Sequence, residues 1–492
     1  MDSISKTHDV YNLNAPKWEF FLRSYMGGND YRDGEYLLKY ILEDKTEYQK
    51  RLDLTPLDNH CKNVINIYSS FIWRLPPTRN FGDLVEDQAL KSFLKDADMD
   101  GRSLNSFMSE AQMWSGVYGH VWLIMDKPAV IANTRADELA QQVRPYLTLI
   151  TPENVFDWNY ERSANGRYEL TMLKVREWID DDRSFYRIWE KDTIKGYEVI
   201  GEEAKLIEKM DNPLGIIPAV CLYGNRSPIR GIGHSDITDV AYMQRAIYNE
   251  LSEIEQLIRI SNHPSLVKSV DTDAGAGAGS VIEVSDTDSI KPYLLQPSGG
   301  NLDAIRASIT DKVEAINRMT HMGAVRATDA QTKSGVALQT EFQLLNAKLS
   351  EKADLLELAE EQLWNLFAMW QGITSEIMVD YPDTFDLRDY GTELEFLQRA
   401  KASGVNSPTF KKGVDKAIAE LVLSDDDLAQ ATMEIEEAKT MGEFEDAQIY
   451  KYHIDSGVVS KNEVRSDLGL EAVSGGDSPI EMIQPSQQSG GE

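Results

Sequence analysis

From Leu338 to Trp370 apolar residues recur at steps of three and four: Leu338, Phe342, Leu345, Leu349, Ala353, Leu356, Ala359, Leu363, Leu366 and Trp370. A strand cannot use that spacing, because its side chains alternate with a period of two, whereas helical side chains return to one face every three or four residues. The stripe predicts one helix over 336–371, roughly 50 Å long at a rise of about 1.5 Å per residue. Such a helix is longer than an ordinary globular core needs, so it has to cross a large domain or several layers. Just before it the chain reads GAVRATDAQTKSGVALQTEF at 323–342. That stretch interrupts the helical signal between Met322 and Val336 with small, polar, flexible residues and two cations, Arg326 and Lys333.

Upstream, 16–75 reads as helical, with Tyr36, Leu37, Tyr40, Ile41, Val64, Ile67, Tyr68, Phe71 and Ile72 at helical spacing, and stops at Pro76-Pro77. A helix over about 102–115 runs into VYGHVWLIMD at 117–126. The segments 146–158, 168–179, 184–190, 196–200 and 217–224 then predict an antiparallel meander, with hairpins at Asn165-Gly166 and near Lys195-Gly196. Beyond Gly233, Ser235 is the expected N-cap of a helix striped by Ile237, Val240, Ile247, Leu251, Ile254 and Ile258, stopping near Asn262 because Pro264 follows. LVKSV and SVIEVS, short strands around DAGAGAGS, lie in an insert over 263–300 that PYLLQPSGG closes. Asn301 is expected to cap the return helix, which carries Leu302, Ile305, Ile309, Val313 and Ile316 on one face. Residues 393–470 read as short helices, and the last twenty as disordered.

The composition narrows the function. At 492 residues the chain exceeds one ordinary core, so about two to four domains are expected. Its 42% hydrophobic content is that of a folded protein. Its net charge of −31, from 81 acids against 50 bases, excludes tight nucleic-acid binding over a broad surface, which requires phosphates to be neutralised by Lys and Arg. A surface that lets DNA slide past tolerates that charge. Cys61 and Cys221 match no CxxC spacing and suggest a reduced compartment. MDSISKTHDV has no apolar segment, so no signal peptide is expected, and runs such as Trp122-Leu123-Ile124-Met125 are too short to span a membrane.

No motif carries catalysis. Lys333-Ser334-Gly335 reverses the order a phosphate loop needs and follows a helix instead of a strand. DTDAGAGAGSVIE puts Asp271 and Asp273 at the first and third positions of a calcium loop, but Ala276 stands where glycine is required and Ile282 where glutamate is. GIGHSD at 231–236 lacks a third glycine and reads as a capping turn, with Asp236 and Asp239 near the helix dipole. The seven histidines show no metal-ligand spacing, Asp425-Asp426-Asp427 reads as a helix start, and Trp114, Trp122, Trp158 and Trp178 read as packing. No catalytic residue, metal or cofactor is expected.

What remains is an order of elements: a β-rich body, a helix, a small β insert, a returning helix, a soft loop, a very long helix and a helical end. Tyr242, Met243 and Tyr248 are apolar residues on the outer face of the first helix of that pair, which would bind partner helices or pack on the chain's own body. Several stretches in the same order, YLLKYILEDKTEYQKRL (36–52), ITPENVFDW (150–158), 217–256 and 332–364, resemble the portal proteins of tailed double-stranded-DNA bacteriophages.

The resemblance covers about 16–470 and implies an α+β portal fold that assembles as a dodecameric ring at a capsid vertex, with DNA passing through an axial channel. It divides the chain into a wing (1–233, helical then antiparallel β), stem helix 1 (234–262), a clip (263–300), stem helix 2 (301–322), a tunnel loop (323–335), the rest of the wing with the long helix (336–397), a crown (398–470) and a disordered tail (471–492). It implies that Arg326, Thr328, Gln331, Thr332, Lys333, Ser334 and Gly335 face double-stranded DNA weakly and without sequence preference. Lys268, Asp271, Asp273, Glu283, Lys291 and Tyr293 would contact the terminase large subunit, head-completion or adaptor proteins, or neighbouring copies. Major capsid and scaffolding proteins complete the implied partners, with no membrane; the implied location is the virion, and the host cytoplasm during assembly. The alternatives are a different virion or cytoplasmic scaffold that binds a partner through 235–322, and an enzyme with a divergent site.

Overall fold

The N-terminal segment forms four helices where the sequence reads as one helical region: α1 (Tyr11–Met26), α2 (Gly28–Asp33), α3 (Lys45–Leu54) and α4 (His60–Ile72). The computed structural model describes residues 4–477 except 5, 83–84, 86, 129–136, 139–140, 142, 181–182, 202, 264, 271–280, 285–291, 296–299, 327–334, 374–376, 386–389, 404, 406, 424–426, 429, 436–449, 456–458, 468–470, 472 and 475–476. Side-chain caps set the helix starts: Asp44 accepts from the Glu47 amide at 2.9 Å and Asn59 from the Lys62 amide at 2.8 Å. After β1 (Thr78–Asn80) and α5 (Gln88–Lys95), the buried helix α6 (Leu104–Tyr118) ends at Gly119, whose φ of 95° is left-handed. A Cβ on Gly119 would lie 2.6 Å from the Gly233 carbonyl oxygen, so the two glycines let the strand start and the GIGHSD turn close on one another.

Two sheets follow. β2 (His120–Asp126) lies between β3 (Tyr146–Ile150) and β9 (Ala219–Tyr223), antiparallel to both. Between β3 and β9 come β4 (Val155–Arg162), β5 (Tyr168–Asp180), β6 (Arg183–Glu190), β7 (Thr193–Ile200) and β8 (Glu203–Asp211), a five-stranded antiparallel meander in sequence order. The Asn165-Gly166 hairpin is present, with Gly166 at φ 84°. The second expected hairpin is displaced. Lys195-Gly196 lies inside β7, where Gly196 sits at a register shift against β8 and a Cβ on it would meet the Phe185 ring at 2.7 Å. That glycine marks a bulge, and β8 itself is a strand that the sequence reading omits.

The helix α7 (Thr238–Asn262) begins three residues after Ser235, so Ser235 is not its N-cap. The Ser235 hydroxyl donates instead to the Val117 carbonyl at 2.6 Å and ties the turn to the end of α6. β10 (Ser265–Ser269), β11 (Val281–Val284) and β12 (Tyr293–Leu295) form the insert, and α8 (Gly300–Met319) returns, with Asn301 inside the helix instead of capping it. A short helix, α9 (Gly323–Arg326), precedes α10 (Gly335–Gln371), whose 37 residues span about 55 Å. β13 (Met378–Asp380) pairs with β1.

The stripe of α10 packs as its spacing predicts: Leu345, Leu349, Ala353, Leu356, Leu363 and Phe367 are buried in the main core. Two buried charges share that core, each matched. Glu360 receives Arg79 through Nε at 2.5 Å and Nη2 at 3.1 Å, and also accepts from Tyr381 and Trp364. Lys352 donates to Asp236 at 2.6 Å and to the Gly224 carbonyl at 3.0 Å. A buried ion in such a place is tolerable only when its hydrogen bonds are complete. Trp122 and Trp158 are core residues, whereas Trp178 is 41% exposed and stacks on Phe185 at the meander surface.

Of the described residues, 53% are helical and 22% strand, an α+β composition. Met1–Asp386 form one compact unit and Leu387–Glu492 a second. In the second unit α11 (Tyr390–Ala402) runs across residues 397 and 398, where the sequence division was drawn. It packs on α12 (Pro408–Val422), with Lys401 and Asp415 2.6 Å apart. α13 (Lys461–Asp467) holds the start of the expected tail, since Asn462 bonds to Val473 in both directions at 2.9 and 3.0 Å.

Candidate functional site

The first half of α7 is fastened to its own body. Gln244, fully buried, donates to the Ser24 carbonyl at 3.0 Å and accepts from the Cys61 amide at 2.9 Å. Tyr248 is buried in an edge-to-face contact with Tyr31, beside Leu37 and Leu52, so it is not available to a partner helix. Arg51 reaches Ser252 at 3.1 Å while Glu43 clamps its guanidinium at 2.7 and 2.8 Å, which holds the Glu43 carboxyl below the usual range. Met243 is partly buried against the core, and Tyr242, 53% exposed, is the member of the expected outer face that meets solvent. Towards its end α7 exposes Ile258 and Ile260. α8 packs back on α7, with Lys312 bonded to Glu250 at 2.7 Å.

The insert between these helices is a three-stranded sheet in the order β11-β10-β12. β10 runs parallel to β11 and antiparallel to β12, with Leu266 opposite Val281 and Val267 opposite Tyr293. Its central strand is covered, Leu266 and Val267 being buried, but the outer strands expose Val281, Ile282, Tyr293, Leu294 and Leu295. Of the expected contact residues, Lys268 and Glu283 pair across β10 and β11 at 3.3 Å and Tyr293 is 51% exposed. Asp271, Asp273 and Lys291 lie outside the described residues.

At the other end of α8 the chain turns through buried Met322 into α9. Arg326 donates from Nη2 to His60 Nδ1 at 2.8 Å, and His60 Nε2 lies 3.2 Å from Asp58. Because a guanidinium has no acceptor, His60 must present its Nδ1 lone pair to Arg326 and carry its proton on Nε2, facing Asp58. The His60 hydrogen bond lowers the Asp58 carboxyl, and burial lowers Arg326. Arg326 is thus half-buried at the root of the soft stretch. Thr328, Gln331, Thr332, Lys333 and Ser334 lie outside the described residues, and Gly335 opens α10. The structure joins Arg326 to His60, a pairing across 266 positions of sequence that no local pattern signals.

Among the described residues no group of three His, Cys, Asp or Glu could hold a metal ion, and no helix is long and apolar enough to cross a membrane. Burial raises the thiols of Cys61 and Cys221 and brings His120 down to about 3, so these are packed groups without reactive partners. The sequence alone gives no sign of a groove beside α10 that contains Arg226, Arg230, Tyr168 and Met369.

No family model matches this chain, and no curated protein does. Among solved structures, the chain is similar to one in the neck of an empty gene transfer agent particle, computed with C6 symmetry, at 10% identity and TM-score 0.41, covering 75% of this chain and 92% of that one. It is also similar to a chain in the virion of a native gene transfer agent particle, at 11% identity and TM-score 0.38, covering 70% and 86%. A third similarity is to the neck of the native particle, computed with C12 symmetry, at 10% identity and TM-score 0.39, covering 74% and 89%.

Proposed function

We propose that this chain is the portal subunit of a tailed, double-stranded-DNA phage or phage-like particle. In this reading it forms a closed ring at a capsid vertex through which DNA is packaged and released. The observation that carries the reading is the hairpin of α7 and α8: two paired helices that carry a small sheet with bare apolar strands at one end and return through α9 into a helix of 37 residues. The stretches at 36–52, 150–158, 217–256 and 332–364, which resemble portal proteins, support the same reading. In the proposed ring α7 and α8 are the stem and β10–β12 the clip, on which a terminase large subunit and later head-completion proteins dock. The segment 323–335 is the loop nearest DNA.

The charge fits a conduit. A ring of chains that each carry a net charge of −31 repels the phosphates, while scattered cations give weak, screened contacts that do not hold the duplex. Lys333 is the proposed DNA-facing cation; Arg326, held by His60, anchors the root of the loop. The ring needs no nucleotide site of its own, because a separate motor supplies the work.

The test is packaging in particles that carry Lys333→Glu. The ring is expected to assemble as in wild type, as seen in axial negative-stain images, while the yield of packaged or retained DNA falls. Normal DNA yield in that variant removes Lys333 from the mechanism, and the absence of a central channel in axial views of the wild-type assembly removes the portal reading.

A further inference from the structure

The outward side of α10 borders a groove of about 430 Å³ that the proposed function does not use. Leu358, Gln362, Asn365 and Met369, one helical stripe opposite the core stripe, line it from α10. Ala219, Cys221 and Tyr223 line it from β9, and Tyr160, Tyr168 and Leu170 from the first hairpin of the meander. Leu358, Met369 and Tyr168 remain 40%, 43% and 45% exposed, so apolar surface is left uncovered here by the chain itself.

The charge of the groove runs against that of the molecule. Lys191 is satisfied by Glu169 at 2.7 Å, but Arg226 and Arg230 form no ion pair among the described residues. Each lies by an aromatic ring: Arg230 at 3.9 Å from the Tyr168 centroid and Arg226 at 5.7 Å from that of Tyr223. A guanidinium stacked on a ring keeps its N–H edge free for a carboxylate. Both arginines are exposed, so an acid brought by another chain can reach their guanidiniums. Arginine, tyrosine and methionine around an apolar floor are also the composition of a protein-binding hot spot. Burial pushes the Cys221 thiol up to about 12, which argues against covalent chemistry there.

We propose that this groove seats a segment of a neighbouring copy of this chain, one that brings carboxylates to Arg226 and Arg230 and apolar side chains to Leu358 and Met369. The groove is lined by three bases, Lys191, Arg226 and Arg230, against one acid, Glu169, and in the ring reading the surface that stands beside it is that of the next copy, whose 81 acids outnumber its 50 bases. The proposal rests on the ring reading, in which identical copies stand side by side and each offers its groove to the next.

The experiment compares the wild-type chain, Arg226→Glu/Arg230→Glu, and a control with the same charge change at the far meander, Arg183→Glu/Lys205→Glu, by single-particle mass measurement over a dilution series. The groove variant is expected to need a concentration roughly ten-fold or more higher to assemble, with the control like wild type. If the wild type forms rings and the groove variant assembles as well as the control, the proposal falls and the ring reading stands. If the wild type forms no ring, both fall. A second variant, Gln362→p-benzoylphenylalanine, leaves both arginines in place and reports the occupant directly by photocrosslinking. The expected product is a crosslinked dimer that maps to an acidic peptide of a second copy; a crosslink within one chain, to added duplex DNA, or to nothing in the assembled state overturns the proposal.

Discussion

The long helix and the clip-like insert use the same apolar residue types to opposite ends. On α10 every apolar position of the central stripe meets a partner inside the chain, and even Lys352 and Glu360 are matched by Asp236 and Arg79. On β11 and β12 Val281, Ile282, Tyr293, Leu294 and Leu295 stand 41–57% exposed. Burial yields about 25 cal/mol for each Å² of apolar surface removed from water, so side chains left exposed contribute little to the folding of this chain. The core behind α10 is complete in one copy; among the described residues nothing covers those strands of the insert, which leaves them to other chains. Under the proposed function those chains are neighbouring subunits and docking proteins.

The comparison breaks most easily at α10. Leu349→Pro removes a mid-helix hydrogen bond at about 3 kcal/mol or more and also deletes a fully buried side chain, worth about 2–5 kcal/mol. The variant is expected not to fold, read as loss of soluble protein and of cooperative melting; normal assembly would mean that α10 is not one continuous helix. Glu360→Ala comes next. It leaves Arg79 buried without its carboxylate, at about 3–5 kcal/mol, and the melting temperature of the body should fall accordingly.

A smaller effect comes from His120, whose imidazole sits in β2 with burial lowering its pKa from 6.5 to about 3. Below about pH 6.5 the unfolded chain takes up a proton that the folded chain refuses until about pH 3. Its contribution is therefore complete above pH 6.5 and declines by about 1.4 kcal/mol per pH unit as pH falls through that window. Melting temperatures measured between about pH 7 and pH 5 should fall more steeply for wild type than for His120→Asn; equal slopes would refute the assignment. The smallest effect is in the insert: Leu294→Ser should change the stability of a single chain by less than about 0.5 kcal/mol while weakening assembly, and a large loss of monomer stability would show that the insert belongs to the body.

What the sequence reveals follows the same division. The stripe of α10, the meander and the out-and-back helices are legible because each is a local period in the residues. Ser235, Gly196 and Tyr248 read otherwise because their roles are set by distant contacts: Ser235 by α6, Gly196 by the Phe185 ring, Tyr248 by Tyr31. The pairs Arg79–Glu360 and Asp236–Lys352 join residues 281 and 116 positions apart, and Arg226 and Arg230 meet Met369 only in the folded groove. Spacing along a chain carries no record of such meetings. The anchor of Arg326 at His60 is likewise a distant contact that no local pattern signals.

The most direct test of the account is the mass of the full-length chain, measured particle by particle over a range of concentrations and salt. The account predicts a discrete closed species of several hundred kilodaltons, an integral multiple of the subunit, with a channel in axial view. A monodisperse monomer under every condition would contradict it.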